Sequence, residues 1–272
     1  MQPIGVFDSG VGGLSVLKAL RLELPHQRFV YVSDAGYAPY GERDEVHVRQ
    51  RSLAIGDYLV ASHRVCALVV ACNTATAAAI SDLRAAHPTL PIVGIEPAIK
   101  PAAAHSLTGV VGVLATRSTL ASDKFQGLLQ GQNAQARFVL QACDGLAAAI
   151  EHDDAAQIKA LCERYTSSIG HFGATPGAID TLVLGCTHYA FAAAELQTLV
   201  GPEVTLMDAG QAVAQRTRLL LAQNNVLSLA SASVTPMKEW VDLWTTGAVN
   251  ILQDAAHRWL TNSGSVCHLA LA

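Results

Sequence analysis

The hydrophobic positions of this chain fall into short runs of Val, Ile and Leu, each followed by small or polar residues and then by an Ala-rich stretch. Runs of this length predict β-strands, and the stretches after them predict helices. Such runs lie at Ile4 to Phe7, Phe29 to Val32, Cys66 to Val70, Ile92 to Ile95, Val110 to Leu114, Ala136 to Leu140 and Thr181 to Leu184. Strands that are apolar on both faces are typical of parallel sheets covered by helices on each side. The pattern therefore predicts an α/β fold built from parallel β/α units.

One part of the chain resembles another. Ala67 to Thr74 (ALVVACNT) aligns with Thr181 to His188 (TLVLGCTH) at an offset of 114 residues, and Gly5 to Ser9 aligns more weakly with Gly112 to Thr116 at an offset of 107. Two similar offsets indicate two related halves, with a boundary near Pro97 to Pro101. In each half a strand carries a cysteine to its carboxyl end, where ligands bind in open parallel sheets. If the halves face each other, the two thiols do so too.

Composition and charge exclude several classes of protein. With 272 residues, 51% hydrophobic and 15% charged, the chain is long and apolar enough for a large core. No apolar run approaches the ~20 residues of a membrane-spanning helix. The net charge is −4 and the basic residues are scattered, which argues against a nucleic-acid partner. The first apolar run has no basic residues before it and meets Asp8 too soon for a secretory signal, so we expect a cytoplasmic protein.

Cysteine and histidine usage adds to this picture. Six cysteines without a CxxC pair are expected to be reduced thiols, and the ten histidines form neither HExxH nor a zinc-spaced cluster, so no metal is expected. Cys66, Cys143, Cys162 and Cys267 lack a distinctive context and are predicted to be structural.

Cys72 and Cys186 differ from the other four because each follows a predicted strand and precedes a predicted helix. Free backbone N–H groups at a helix N-terminus favour a thiolate. A small buried core cysteine is the alternative for either one alone. The polar residues Asn73 and Thr74 after Cys72, and His188 two residues after Cys186, favour a functional role, and His188 is placed to poise or protonate the thiol.

The turn DSGVGGLS, Asp8 to Ser15, follows the first strand and opens a helix. Its glycines allow close approach of a ligand, but they fit neither GxGxxG nor GxxxxGK[ST]. An acid at Asp8 repels phosphate and accepts from an ammonium group, which suits a zwitterionic substrate. Alternatively, Asp8 is only the N-cap of the helix.

Two thiols suit one reaction in particular. Racemisation of the carbon next to a carboxylate requires a base on one face and an acid on the other, and the two exchange roles in the reverse reaction. Two cysteines meet that requirement without a cofactor. Without a pyridoxal group, oriented donors must meet the charge that develops, and Asn73, Thr74 and Thr187 are the candidates.

The motifs DSGVGGL, APYG, ACNTATA, IEPAIKPA, GVLATRST and LGCTHY resemble, in order and spacing, those of the glutamate racemases, from Ile4 to Tyr189. The resemblance implies interconversion of L- and D-glutamate, without a cofactor, for peptidoglycan synthesis in a bacterial cytoplasm. It also implies two pseudo-symmetric parallel-sheet α/β domains with the active site between them, commonly in a homodimer. The domains would be 1–97 with 208–272, and 98–207.

The resemblance also implies roles for individual residues. Cys72 and Cys186 would be the two acid/base groups, with Asp8 and His188 assisting on their respective sides. Asp34 and Glu151 match acidic positions of the family. Glutamate would contact Ser9, Tyr40, Gly41, Asn73, Thr74, Thr116, Thr119 and Thr187.

Two segments depart from the family pattern. Gly36 and Tyr37 stand where the family has an arginine, and Trp244 to Ala248 lacks the acid that often follows its glycine. Both departures concern local loop conformation and oligomer contacts, and neither removes a catalytic group. The family's regulatory N-terminal extension is not matched either, so activation by a cell-wall precursor is not expected.

Three alternatives remain open at this point. An aspartate or hydantoin racemase would keep both thiols and change the substrate contacts. A non-catalytic amino-acid-binding protein on this fold would be expected to have lost one cysteine, and a cysteine hydrolase would need only one nucleophilic thiol with a base.

Overall fold

The computed structural model describes residues 2–227, 241–260 and 264–271. Within the predicted range 208–272, residues 228–240, 261–263 and 272 lie outside the described residues. The chain divides into two compact units, a first unit of Met1–Ile95 with Gly210–Ala272 and a second unit of Glu96–Ala209. The domain boundaries near residues 97 and 207 stay a prediction.

The structure alternates strands with helices along most of its length. The strands are β1 (Ile4–Asp8), β2 (Phe29–Ser33), β3 (Ala67–Val70), β4 (Ile92–Gly94), β5 (Val110–Ala115), β6 (Arg137–Ala142), β7 (Thr181–Leu184), β8 (Thr205–Met207), β9 (Val241–Thr245) and β10 (Val266–His268). The α-helices are α1 (Leu14–Glu23), α2 (Glu45–His63), α3 (Asn73–Ala86), α4 (Ile99–His105), α5 (Arg117–Ala121), α6 (Asp123–Gln130), α7 (Leu146–Glu151), α8 (Ala155–Ile169), α9 (Ala193–Val200), α10 (Gly210–Gln223) and α11 (Val249–Trp259). Short 3-10 helices lie at Ala35–Tyr37, Tyr40–Glu42 and Thr187–Ala192.

Each unit contains one sheet. The first unit has the strand order β10-β9-β2-β1-β3-β4, and the second has β6-β5-β7-β8. All strand pairs of the described residues are parallel. The order β2-β1-β3-β4 in the first unit is the same as β6-β5-β7-β8 in the second, so both sheets share a four-stranded core. The predicted α/β fold with two parallel-sheet halves is confirmed.

The central strands are buried from end to end. Every residue of β1, β3, β5 and β7 is buried, as expected for strands with helices on both faces of the sheet. Burial of such aliphatic side chains contributes roughly 1.5–3 kcal/mol each. The carboxyl ends of these strands are therefore held by a rigid core.

The internal resemblance of the sequence has a structural counterpart. After β3, the Ala71 backbone N–H donates to the Phe7 carbonyl at 2.8 Å, and after β7, the Gly185 N–H donates to the Leu114 carbonyl at 2.7 Å. Phe7 and Leu114 are 107 residues apart, and Ala71 and Gly185 are 114 apart. These are the offsets found in the sequence, so the two segments that end in a cysteine occupy equivalent places in the two sheets.

All seven predicted strands are confirmed, with ends that differ by at most two residues; β3, for example, begins after Cys66, and β7 has the predicted bounds. β8, β9 and β10 were not predicted. Two of them have only three residues, and β9 alternates buried and exposed positions, so they lack a continuous apolar run. Within the described residues, no helix is both long and apolar enough to cross a membrane.

Candidate active site

Cys72 lies at the carboxyl end of β3 and is the N-cap residue of α3, as the sequence predicted for its place in the fold. Its Sγ accepts the Ala75 backbone N–H at 3.5 Å. The thiol also donates to the Ser9 hydroxyl at 3.8 Å, and Ser9 donates to Asp8 Oδ1 at 3.0 Å. Asp8, Ser9 and Cys72 are all buried. A chain of hydrogen bonds therefore leads from the thiol through a hydroxyl to a carboxylate.

Asp8 is not a helix cap, and that alternative is wrong. Helix α1 begins only at Leu14, its N-cap residue is Gly13, and no side chain caps it. A Cβ at Gly13 would lie 2.7 Å from the Asp8 Cβ and 2.9 Å from the Tyr31 hydroxyl oxygen, so only glycine fits. Tyr31 donates to the Gly10 carbonyl at 2.6 Å. The turn thus closes over Asp8 and is fastened to β2.

Asn73 and Thr74 form the first turn of α3, directly after Cys72. Both are buried, each with 7% of its surface exposed. Among the described residues, none donates a hydrogen bond to Asn73 Oδ1. An unmet buried acceptor costs about 1–3 kcal/mol, so this oxygen is suited to accept from a ligand.

Tyr40 and Gly41 lie in the 3-10 helix Tyr40–Glu42 after β2. The Tyr40 hydroxyl donates to Asp34 Oδ2 at 2.5 Å. Burial and the neighbouring Asp34 charge raise the pKa of Tyr40 well above its ordinary value, so it is a neutral donor. Asp34 is also paired with Arg51, with both side chains almost completely buried. Sequence reasoning did not single out Arg51, although a charged residue on the apolar face of α2, between Val48 and Ile55, indicates a buried partner.

The two departures from the family pattern meet in space. A Cβ at Gly36 would lie 2.6 Å from the Thr246 carbonyl oxygen, and one at Gly247 would lie 2.9 Å from the Ala35 Cβ. The Gly36 N–H donates to the Thr246 hydroxyl at 3.1 Å, and that hydroxyl donates to Asp34 at 2.8 Å. The two loops therefore pack backbone against backbone, which leaves no room for larger residues.

Cys186 follows β7 and precedes the 3-10 helix Thr187–Ala192. Its Sγ lies 3.7 Å from His188 Nδ1, and His188 Nε2 lies 2.7 Å from Glu151 Oε2. All three side chains are buried. Burial by itself lowers the pKa of an imidazole, but the hydrogen bonds and charges of Cys186 and Glu151 outweigh it and raise the pKa of His188 well above its ordinary value. Glu151, whose role the sequence left undefined, is the partner of His188.

The predicted threonines of the second unit lie at the carboxyl ends of its strands. Thr116 follows β5 and caps α5 by accepting the Thr119 backbone N–H at 3.3 Å. It also donates its hydroxyl to Thr119 Oγ1 at 2.9 Å. Thr187, next to Cys186, is buried. Each candidate residue of the second unit therefore lies on the same edge of the sheet as Cys186.

The remaining cysteines have other environments. Cys143 and Cys162 are buried, Cys66 is partly buried and Cys267 is exposed. Burial, together with the Glu195 charge, raises the pKa of Cys162 to about 11. Burial and then the charge of Cys186 raise the pKa of Cys143 still further. Both thiols are therefore protonated near neutral pH. No group of three or more His, Cys, Asp and Glu side chains in the described ranges is arranged to hold a metal ion.

Comparison with known proteins gives the family. Residues 14–217 match the Asp/Glu/Hydantoin racemase family. The glutamate racemase of Ectopseudomonas mendocina is 45% identical over 253 residues, which cover 92% of each chain. The crystal structure of a glutamate racemase isoform from Bacillus anthracis superposes with a TM-score of 0.84 at 30% identity, covering 99% of this chain and 98% of the other. The Escherichia coli glutamate racemase, solved with L-glutamate and the activator UDP-MurNAc-Ala, gives 0.82 at 29% identity and covers 100% of both.

Two cysteines at equivalent strand ends, each hydrogen-bonded to a buried polar side chain, agree with these matches over nearly the whole chain. The chain belongs to the Asp/Glu/Hydantoin racemase family, and within that family it groups with the glutamate racemases.

Proposed function

We propose that this protein is a cofactor-independent glutamate racemase that moves the α-proton between Cys72 and Cys186. The observation that carries the proposal is the equivalence of the two cysteines. Each follows the corresponding strand of the four-stranded core that the two sheets share, and each is hydrogen-bonded to a group that can exchange protons. A single nucleophilic cysteine with one base, as in a hydrolase, does not account for this duplication.

In one direction, the Cys72 thiolate takes the α-proton and forms an S–H bond. The C–H electron pair remains on the substrate and is delocalised into its carboxylate. The Cys186 thiol then gives its proton to the opposite face of the α-carbon and becomes the thiolate. The reverse reaction exchanges the two roles, so no proton or electron is gained or lost over the cycle.

On the Cys72 side, the hydrogen bonds through Ser9 to Asp8 give the thiol proton a route to a carboxylate. The backbone N–H of Ala75, at the N-terminus of α3, favours the thiolate that remains. Asp8 therefore assists Cys72 as a base when the protein binds the enantiomer that Cys72 deprotonates.

On the Cys186 side, a protonated His188 is proposed to stabilise the thiolate or to return a proton to it. Its raised pKa supports this role, and its hydrogen bond to Glu151 fixes the ring so that Nδ1 faces the sulfur. Glu151 is thus a positioning residue for His188.

The developing negative charge and the two carboxylates need donors in a water-poor site. The proposed contacts are Ser9, Tyr40, Gly41, Asn73, Thr74, Thr116, Thr119 and Thr187. Asn73 is suited to the ammonium group because its buried Oδ1 accepts from none of the described residues. Glutamate is the proposed substrate because the matched relatives are glutamate racemases and the Escherichia coli structure contains L-glutamate.

The cellular setting is proposed from the same resemblance. We propose that the protein supplies D-glutamate for peptidoglycan in a bacterial cytoplasm, that it acts as a homodimer, and that its domains are 1–97 with 208–272 and 98–207. Sedimentation and size measurements on the purified protein test the dimer.

The test of the activity is incubation of the purified protein with L-glutamate in D2O, without added cofactor. We expect loss of the circular dichroism signal together with deuterium at the α-carbon by NMR. Cys72→Ala and Cys186→Ala should each abolish racemisation, whereas Cys267→Ala, at an exposed position, is the matched cysteine control.

Other outcomes identify other functions. If glutamate stays inert and aspartate racemises, the proposed substrate is wrong and the protein is an aspartate racemase. Activity that depends on one cysteine, with an accumulating acyl-enzyme, indicates a hydrolase. Inertness with both amino acids, while glutamate still binds, indicates a binding protein.

A further inference from the structure

A buried ion pair holds the loop that carries Tyr40. Arg51 donates from Nε to Asp34 Oδ2 and from Nη2 to Asp34 Oδ1, each at 3.0 Å. Asp34 Oδ2 also accepts a hydrogen bond from the Tyr40 hydroxyl. Charge-assisted bidentate pairs fix geometry more strongly than single hydrogen bonds do. The plane of the Arg51 guanidinium therefore sets the orientation of Asp34, and Asp34 sets that of Tyr40.

The guanidinium is itself held by a distant part of the chain. Arg51 Nη1 donates to the Leu271 backbone carbonyl at 3.3 Å, and the Tyr37 hydroxyl donates to the same carbonyl at 3.2 Å. The Tyr37 ring lies against the guanidinium, with the Arg51 Cζ 3.5 Å from the ring centroid. One carbonyl oxygen thus accepts hydrogen bonds from two elements: from Tyr37 in the loop after β2 and from Arg51 in helix α2.

The segment that supplies this carbonyl is fixed two residues earlier. The Leu269 backbone N–H donates to the Thr245 carbonyl at 2.7 Å, and the Leu269 side chain is buried in the core of the first unit. Leu271 packs partly buried against the same core. The carbonyl is therefore a rigid acceptor.

We infer that the Leu271 carbonyl is a positioning element for substrate binding, which acts through Tyr37, Arg51 and Asp34 on the loop of Tyr40 and Gly41. The inference rests on the proposed function, because that function assigns the loop to glutamate binding. Tyr37 fastens this loop to residue 271 through its hydroxyl and to Arg51 through its stacked ring. The acceptor holds the loop in its binding shape before glutamate arrives, and so lowers the entropic cost of binding.

The test compares chains that keep or lose the carbonyl. A chain that stops after Ala270 loses it, and a chain that stops after Leu271 is the matched control because a carboxylate oxygen replaces it. We expect the shorter chain to show a KM for glutamate about 5- to 10-fold higher, the effect of one or two lost hydrogen bonds, with kcat within about twofold. Tyr37→Phe should raise KM by about two- to fivefold for the same reason.

Two further variants separate positioning from general packing. Tyr37→Phe should add nothing in the chain that stops after Ala270, because its acceptor is already absent. Leu271→Ala keeps the carbonyl and should leave KM near that of the full chain. The inference is overturned if Tyr37→Phe and the truncation after Ala270 raise KM additively. It is also overturned, in favour of side-chain packing, if Leu271→Ala reproduces the full rise in KM.

A second measurement does not depend on activity. Amide hydrogen exchange of residues 35–42, without substrate, should be faster in Tyr37→Phe and in the chain that stops after Ala270 than in the control that stops after Leu271. If the shortest chain does not fold, Tyr37→Phe alone decides, and unchanged exchange with unchanged KM refutes the inference. If the full chain does not racemise glutamate, the proposed function fails, while faster exchange still identifies the Leu271 carbonyl as the anchor of the loop.

Discussion

Cys72 and Cys186 occupy equivalent places in two sheets that share a four-stranded core, yet the groups bonded to them differ. At the end of β1 the first unit has Asp8, whereas the equivalent residue of β5 is Ala115, 107 positions later. Two residues after the cysteine, the first unit has Thr74 and the second has His188. Cys72 is linked through a hydroxyl to a carboxylate, and Cys186 lies against an imidazole.

The two units share the backbone that places each cysteine but differ in the side chains around its sulfur. The repeated strands and the backbone hydrogen bonds before each cysteine fix where the sulfur lies, and a few side chains decide how it exchanges a proton. A carboxylate is linked to one thiol through a hydroxyl, and an imidazole of raised pKa lies against the other. The two directions of the proposed reaction are therefore expected to respond differently to changes on each side.

The largest effect is expected from removing the assisting groups one at a time. Asp8→Asn and His188→Asn should each lower kcat by about 10²- to 10⁴-fold, the usual contribution of an acid/base group. With α-deuterated L- and D-glutamate, Asp8→Asn should raise the isotope effect in the direction where Cys72 breaks the C–D bond and lower it in the other. His188→Asn should give the opposite pattern. The same pattern for both variants would contradict the division of roles.

The next largest effect is on stability, from substitutions of the residue directly before each cysteine. Gly185 and Ala71 are equivalent, but a Cβ at Gly185 would lie 2.9 Å from both the Leu114 carbonyl oxygen and the Ala115 Cβ. Gly185→Ala should therefore reduce the free energy of unfolding by roughly 1–3 kcal/mol. Ala71→Gly, the matched change in the first unit, should cost only about 0.5–1 kcal/mol. Urea denaturation measures both, and equal costs would show that the second strand end adjusts freely.

A third effect is a pH dependence confined to the second unit. Glu151→Gln keeps an acceptor for His188 but removes the charge, so it lowers the raised pKa of His188. A raised pKa stabilises the folded state fully below the unfolded value of about 6.5, and that stability is lost as the pH rises through the folded pKa. The variant should thus be less stable than the parent at pH 6, and the difference should shrink towards pH 10. Urea midpoints over this range check the trend, and Asp44→Asn, at an exposed helix cap, is the control without such a trend.

The smallest effect is expected from Tyr31, which fastens the turn over Asp8. Tyr31→Phe removes the hydrogen bond to the Gly10 carbonyl and should cost about 1 kcal/mol of stability. We expect a kcat decrease of a few fold from misorientation of Asp8, with the isotope-effect asymmetry of Asp8→Asn in weaker form. An unchanged asymmetry would limit Tyr31 to a structural role.

The sequence was informative where structure is local. Runs such as Thr181 to Leu184 predict strands because every position is buried. Cys72 and Cys186 each lie two residues after such a strand, and each is the N-cap residue of the helix that follows. Strands such as β10 were missed because three residues, of which only Val266 is buried, carry no periodic signal. The contact of Arg51 with Asp34 and Leu271 joins residues 17 and 220 positions away, so pattern alone does not reveal it. The same holds for the packing of Gly36 on Thr246.

The parallel pairing of β2 with β9, which joins Phe29 to Val241, has a consequence for biosynthesis. The second unit is one continuous stretch, and all of its strands are translated before β9. The first sheet must wait, with an open edge at β2, until more than two hundred further residues have been made. Closing so long a loop has a large entropic cost. Until it closes, the unpaired edge of β2 can pair with strands of other chains. We therefore expect nascent first-unit segments to be the part of this protein that depends most on chaperones.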